Sequence, residues 1–537
     1  MTSHPINNII EVLDNLLIKK GDLTPSEFSS IWTKAVRKYP KEDGGLYSKN
    51  EIRKYIEENH REVSLLLTHF LKNKPTRTVS GVAPLTIFTK PYICSGKCIF
   101  CPTAKNAPKS YLPEEPGVQR AIDLDYDPYL QIKRRIDAFE AIGHTTDKIE
   151  LIISGGTWDD YDLNYRIWYI LEVFRALNQR PSKPFDQQEK YSSIKYIKLL
   201  RDLEEENAST KYRCVGLTIE TRPDKVNIEN IGWYRRLGVT KVQLGVQFLH
   251  EEIIQLNKRG HTVEDSFNAI KLLRDAGFKV HIHWMANLYG SNLKLDLEDF
   301  KLIFDDYRVR PDELKIYPTS IVEGTVLYHL YQQGKYKPYS TEELITLLST
   351  AKTFVQPYCR ITRLFRDIPS DLIVDGNKMT NLREAVQARM KREGKVCNCI
   401  RCREVRTTQV DNWDLTVLKY KTSSGKEFFI QAVTDKGRLA GFLRLALYKE
   451  NSLLIPVKAM IREVHVYGFA KKIGETKHLE TQHRGIGARL LQEAEKIAMA
   501  EGAQKIGVIA GVGTRNYYRK HGFKIEHNFG YGIKDVF

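Results

Sequence analysis

Nowhere does this chain present a run approaching the roughly 18 consecutive apolar residues that a membrane-spanning helix needs. It has no low-complexity tract, and its Met-Thr-Ser-His-Pro start lacks the charged-then-apolar pattern of a secretion leader. These absences predict a cytoplasmic protein with no membrane partner. Acidic residues are in deficit: 66 Asp and Glu stand against 83 Lys and Arg, a formal net charge of +17. Such an excess points to a polyanionic partner, because neutralising phosphates supplies most nonspecific nucleic-acid affinity. Cysteine is sparse too, eight in 537 residues, and six of the eight fall in two tight triplets. That distribution argues against a disulfide framework and for metal ligation in a reducing compartment. A chain this long exceeds one hydrophobic core and divides into about three or four domains.

The first triplet, Cys94-Ser-Gly-Lys-Cys98-Ile-Phe-Cys101, follows the apolar run Pro84–Lys90. Thiolates are the ligands of iron–sulfur clusters, and three of them on a four-iron cluster leave one iron open for S-adenosylmethionine (SAM). The spacing alone leaves zinc as an alternative. The second triplet, Cys397-Asn-Cys399-Ile-Arg-Cys402, suits zinc with a fourth ligand from elsewhere. It lies in a basic belt: from Asn377 to Val410 nine Lys and Arg outnumber three Glu. RNA is the polyanion this belt favours. Cys214 and Cys359 stand alone and are expected to be structural.

Helical spacing of Ile9, Ile10, Leu13, Leu16 and Leu17, and a helix start at Thr24-Pro25, predict a basic helical region over residues 1–80. From 81 to 360 short β-rich runs alternate with helical ones: Leu85–Thr89, Ile149–Ser154, Cys214–Glu220, Lys241–Val246, Lys279–Trp284 and Leu314–Tyr317. Six such units predict a partial, open (β/α)6 barrel with its chemistry at the C-terminal strand ends. The first cysteines, Gly155-Gly156-Thr157 and Glu220 all fall at those ends. A basic linker with the second triplet spans 361–411, and 412–537 reads as an α+β domain. There Gln482-His-Arg-Gly485-Ile486-Gly487-Ala488 opens a long helix after β-rich segments. Glycines ahead of a helix let its free N–H groups reach a pyrophosphate. This resembles the loop of GNAT acetyltransferases, and the resemblance implies acetyl-CoA binding. The strand Glu463-Val464-His465-Val466 would lie beside the pantetheine, and Tyr517 or Tyr518 could approach the CoA sulfur as a catalytic group.

Taken together, these motifs resemble one family, the catalytic subunit of Elongator and its single-subunit relatives, the tRNA wobble-uridine carboxymethyl synthases. The resemblance runs from about Lys74 to near the C-terminus. It includes Lys74-Pro-Thr-Arg-Thr-Val-Ser-Gly81, Thr218-Ile-Glu-Thr-Arg-Pro-Asp224, Arg259-Gly-His-Thr262, Arg366-Asp-Ile-Pro369 and Gly511-Val-Gly-Thr-Arg-Asn-Tyr-Tyr-Arg519. It implies a radical SAM barrel fused to an acetyltransferase-like domain, with SAM, a 4Fe-4S cluster, zinc and acetyl-CoA, acting on tRNA to form 5-carboxymethyluridine. Elongator-like subunits or a second copy are further partners it suggests. On this resemblance Cys94, Cys98 and Cys101 hold the cluster, and Gly155, Gly156, Thr157 and Glu220 seat SAM. Lys148, Glu463 to Val466, Ile486, Gly487, Ala488 and Tyr518 contact acetyl-CoA. Two departures lie near the SAM site: Cys101-Pro-Thr-Ala replaces Cys-Pro-Gly-Gly, and Met285-Ala-Asn-Leu-Tyr-Gly290 replaces Met-Pro-Asp-Leu-Pro-Gly. The competing readings are a protein lysine acetyltransferase with a structural cluster and a non-catalytic tRNA-binding scaffold.

Overall fold

The computed structural model describes residues 4–20, 23, 25–73, 78, 80–406, 410, 412–467 and 485–536. Thr24, Lys74, Arg77 and Gln482 to Arg484, all used above, lie outside these. The amino-terminal region forms helices Pro5–Lys20, Pro25–Lys38, Lys49–Glu58 and Leu65–Phe70. Their apolar stripes close on a separate core that includes Ile9, Leu13, Leu17, Phe28, Ile52 and Phe70. Ser48 and Glu51 cap the third helix reciprocally. Arg53 on that helix donates to the carbonyls of Glu140 and Ala141, fastening this small core to the next unit.

Seven parallel strands in sequence order make the first sheet: β1 (Ala83–Phe88), β2 (Lys148–Ser154), β3 (Arg213–Thr221), β4 (Lys241–Gln247), β5 (Lys279–Trp284), β6 (Glu313–Ile316) and β7 (Arg360–Arg363). The order never returns from β7 to β1, so the barrel is open, as expected. Helices run between the strands; Leu163–Leu177 is buried nearly all round because its neighbours Pro128–Ala141 and Ile194–Asn207 flank it. The seventh strand is one more than the sequence pattern indicates. In Arg-Ile-Thr-Arg only Ile361 is buried, so the short strand carries almost no hydrophobic signal.

A second seven-stranded sheet holds β8 (Asp414–Thr422), β9 (Gly425–Val433), β10 (Leu439–Tyr448), β11 (Ala459–Val466), β12 (Lys505–Val508), β13 (Lys524–Ile525) and β14 (Gly532–Asp535), in the order β13-β14-β12-β11-β10-β9-β8. β8 to β11 run antiparallel, whereas β11 and β12 are parallel. Helix Ile486–Ala500 lies across β9 to β11. This second unit is fixed to the N-terminal edge of the barrel. Tyr531 and Tyr448 donate to the carbonyls of Ala276 and Arg274, just before β5. A β-carbon on Gly511 would stand 2.2 Å from the Val215 carbonyl of β3, so only glycine permits that approach. At the centre Asp312, before β6, accepts from Arg462 of β11 and faces Arg444 of β10 at 3.4 Å. Arg462 also reaches Glu427 of β9 at 2.7 Å, and Arg444 reaches Glu463 of β11 at 2.8 Å. Buried charges need such pairing, and here it crosses the domain junction.

Candidate functional site

The loop leaving β1 carries Cys94, Cys98 and Cys101 over the C-terminal strand ends. Cys94 Sγ lies 3.7 Å from Thr157 Oγ1, and Cys98 Sγ accepts from Arg259 Nη1 at 2.9 Å. The Cys98 thiol is held well below its ordinary value by a hydrogen bond from Cys101 and by the guanidiniums of Arg259 and Arg222, against the opposing effect of burial. A preformed thiolate next to fixed cations is what a metal-ligating cysteine requires. Arg222 packs so closely on Gly96 that a β-carbon there would stand 2.0 Å from Nη1. Gly155 (φ 140°) leaves room in the same way for the Thr89 side chain. Glu220, at the end of β3, accepts from Tyr111 and Ser154, each at 3.1 Å, and pairs with Lys315 at 3.4 Å. Arg222, Arg259, Lys315 and Tyr111 had no role assigned from sequence. The two arginines lie inside the quoted motifs, whereas Lys315 and Tyr111 gave no signal of their own.

The two departures from the family pattern are built features. Thr103 Oγ1 accepts from Lys109. Asn287 takes a left-handed conformation (φ 59°), which asparagine tolerates. Its N–H reaches Asp296, its Oδ1 accepts from the Tyr339 N–H, and its carbonyl accepts from the Tyr336 hydroxyl, all within 2.7 Å.

On the second sheet, β11 pairs with β12 only over Ala459–Ile461. From Glu463 to Val466 it pairs, among the described residues, with β10 alone, which leaves one backbone edge open among them. Gly485, left-handed at φ 95°, opens the helix whose first turn faces that edge. Tyr517 Oη lies where a β-carbon on Gly487 would meet it at 2.8 Å. Tyr518 is buried, edge-on to Phe523, whereas Tyr517 is 40% exposed. Ile486 turns its side chain into the core against Gly441, so only its backbone is available to a ligand. An unpaired strand edge beside glycine-opened N–H groups fits a pantetheine with its pyrophosphate. Lys279 of β5 reaches Glu463 at 3.1 Å. Although burial works against it, Lys279 and Arg444 hold the Glu463 carboxyl far below its usual range.

One cavity of about 1400 Å³ joins the two ends. Its lining includes Cys94, Cys98, Cys101, Gly156, Thr157 and Glu220 at one end, and Val464, His465, Val466, Gly487, Ala488, Tyr517 and Tyr518 at the other. Lys148, at the start of β2, lines it with no ion-pair partner among the described residues. The interior between is polar. His283 faces Gln243 at 3.0 Å, and Lys241 is bracketed by Glu150 and Glu313. Burial holds His281 and His283 well below the ordinary imidazole value, so both are neutral at pH 7.

Cys397, Cys399 and Cys402 bring their sulfurs within 4.8 Å of one another. Zinc–thiolate bonds of 2.3 Å at tetrahedral angles put sulfurs about 3.8 Å apart, so this triplet fits a single ion. Hydrogen bonds from Cys397 and Cys402 hold Cys399 well below its ordinary value. Cys94, Cys98 and Cys101 are not all within that distance of one another: Cys98 and Cys101 share a hydrogen bond, and Cys94 stands apart beside Thr157. Among the described residues no helix is long and apolar enough to cross a membrane.

Known families cover the same ground. The radical SAM superfamily matches residues 89–300, the radical SAM C-terminal domain 311–392 and the GNAT acetyltransferase family 400–523. A tRNA uridine(34) acetyltransferase of Methanocaldococcus infernus is 41% identical over 499 residues, covering 89% of this chain and 90% of that protein. Human Elongator complex protein 3 is 34% identical, covering 95% and 98%. The solved structure of the archaeal M. infernus Elp3 lacking its N-terminus superimposes with a TM-score of 0.72 at 37% identity, over 85% of this chain and 99% of that one. With both catalytic folds present in this order and near full-length relatives at such identity, the chain belongs to the family of Elongator complex protein 3 and the tRNA uridine(34) acetyltransferases.

Proposed function

We propose that this protein modifies the wobble uridine of tRNA to 5-carboxymethyluridine, using acetyl-CoA and radical SAM chemistry. The observation that carries the reading is the single cavity with three cluster-type cysteines at one end and an acetyl-CoA-type cradle at the other. When bound, the reduced cluster and SAM supply a hydrogen-abstracting radical, and acetyl-CoA supplies the two-carbon unit. Cys94, Cys98 and Cys101 are the cluster ligands in this reading, with Arg259 and Arg222 stabilising the thiolates. Gly155, Gly156, Thr157 and Glu220 seat SAM, and Tyr111 and Lys315 fix the Glu220 carboxylate in place. Lys148, the open edge from Glu463 to Val466, the backbone of Ile486, Gly487 and Ala488, and Tyr518 hold acetyl-CoA, with Tyr517 or Tyr518 next to the thioester. Cys397, Cys399 and Cys402 bind zinc, and the working units are 1–80, 81–360, 361–411 and 412–537.

Glu463 argues against a protein lysine acetyltransferase. A carboxylate engaged by Lys279 and Arg444 is a poor acceptor for the proton of an amine nucleophile. The test is anaerobic reconstitution with iron, sulfide, SAM, dithionite, acetyl-CoA and tRNA. Cys98-dependent 5′-deoxyadenosine, acetyl-CoA hydrolysis stimulated by tRNA and carboxymethyluridine by nucleoside mass spectrometry are expected. Acetylation of peptides with no response to tRNA would overturn the assignment.

A further inference from the structure

Two arginines on the open flank of the barrel serve neither end of the cavity. Arg383, on helix Leu382–Arg392, and Arg401, in the second cysteine turn, donate to the same acceptor. It is the carbonyl of Thr362 on β7, at 3.2 and 3.3 Å. Neither has a carboxylate partner among the described residues. The nearby Glu404 is engaged by Arg360 at 2.7 Å and also faces Arg406 at 3.8 Å. Arg383 Nη1 is buried without any hydrogen-bond partner among the described residues. Burial and the repulsion of Arg401 push Arg383 down to about 10. Two guanidiniums thus converge on one neutral oxygen, which leaves neither positive charge compensated. Such a pair presents forked donors to an anion with several oxygens.

Arg401, Thr362, Arg363 and Arg366 line the shared cavity on the β7 side, where the barrel fails to close, and Arg383 joins them through the shared Thr362 carbonyl. In the same segment of chain Lys378, Lys391, Arg392 and Arg406 are exposed. A row of cations along one segment matches the repeating charge of a nucleic-acid strand. The single pyrophosphate of a coenzyme already has the helix start at Gly485.

We infer that Arg383 and Arg401 together clamp one phosphodiester of the RNA substrate and hold its strand at the open β7 flank, beside the cavity that receives the base. This rests on the tRNA reading above and adds the anchoring point.

The test measures binding of full-length tRNA to the whole protein by fluorescence anisotropy over a salt series. The variants are Arg383→Gln, Arg401→Gln, the pair, and Arg383→Lys with Arg401→Lys. Glutamine keeps a donor toward the Thr362 carbonyl and removes the charge. Each single variant is expected to weaken binding about tenfold and lower the slope of log K against log salt by about 0.7, one single-stranded phosphate contact. The double variant is expected to lose little more, because both residues hold the same phosphate. The lysine pair keeps the charge, and with it most of the slope, but not the forked geometry. It carries the test if a glutamine variant melts early. Acetyl-CoA affinity should not move.

Unchanged affinity and slope in the double variant overturn the clamp while leaving tRNA binding by the wild type intact. Additive losses with a doubled change in slope overturn the single-phosphate geometry. Loss of acetyl-CoA affinity with RNA binding unchanged assigns the pair to the coenzyme and overturns the proposal. If the wild type itself binds tRNA no better than an unrelated polyanion, the functional reading falls first, and the clamp with it.

Discussion

Replacing Asp312 by alanine should separate the two catalytic units energetically. Asp312 is fully buried, accepts from the Val280 N–H at 2.8 Å and lies against both Arg462 and Arg444. The connected charges are Lys279, Arg444 and Arg462 against Asp312, Glu427 and Glu463, three of each sign. Removing Asp312 leaves a net positive charge sealed at the junction and one amide unpartnered. Breaking a buried pair in this way costs about 3–5 kcal/mol. That is about 10² to 10⁴ in the folding equilibrium. At about 2–4 °C per kcal/mol for units of this size, the melting temperature should fall by roughly 6–20 °C. Calorimetry reads the shift directly. Arg462→Met combined with Asp312→Ala restores charge balance, so the pair should couple by about 0.5–3 kcal/mol rather than add. A loss below about 1 kcal/mol, or additive single and double variants, would refute the idea that this network holds the junction.

Further outcomes are open to measurement. Cys98→Ser should abolish reconstituted iron–sulfur absorbance and 5′-deoxyadenosine formation, since one of three thiolates and its Arg259 contact are lost. Cys399→Ser should take bound zinc, read by metal analysis of the purified protein, from about one ion per chain to none. Gly487→Ala, whose β-carbon would press on Tyr517 Oη at 2.8 Å, should weaken acetyl-CoA binding about tenfold, or ~1.4 kcal/mol, in a titration. Burial, with Lys72 adding to it, lowers His69 in the amino-terminal core from 6.5 to about 4. The unfolded chain therefore binds more protons between those values, and stability falls as pH drops through that window, by about 3 kcal/mol in total. His69→Gln should flatten that acid loss; an unchanged pH profile of unfolding would show that His69 is not its source.

The sequence made the barrel legible because short β-rich runs such as Ile149–Ser154 alternate with helical stretches along the chain. Their exits carry residues too unusual for packing. The seventh strand was hidden because Arg360, Thr362 and Arg363 look like surface. Only the register against β6 shows that the chain is extended there. The cysteines and the glycine loop announced themselves through spacing. Lys315, Tyr111 and the Arg383–Arg401 pair did not, because their meaning depends on what stands opposite them 21 to 109 residues away in the chain. Ile486 illustrates the converse: the motif is readable, but only the fold shows that its side chain belongs to the core and its backbone to the site.

The shared cavity has a thermodynamic consequence of its own. Two ligands in one vessel cannot be bound as strangers: each displaces water and free volume that the other would use. Their affinities are therefore linked reciprocally, with no moving part required. A compound long enough to occupy both ends would report as a competitor of each substrate, and its length at best affinity would be a ruler for the path between them.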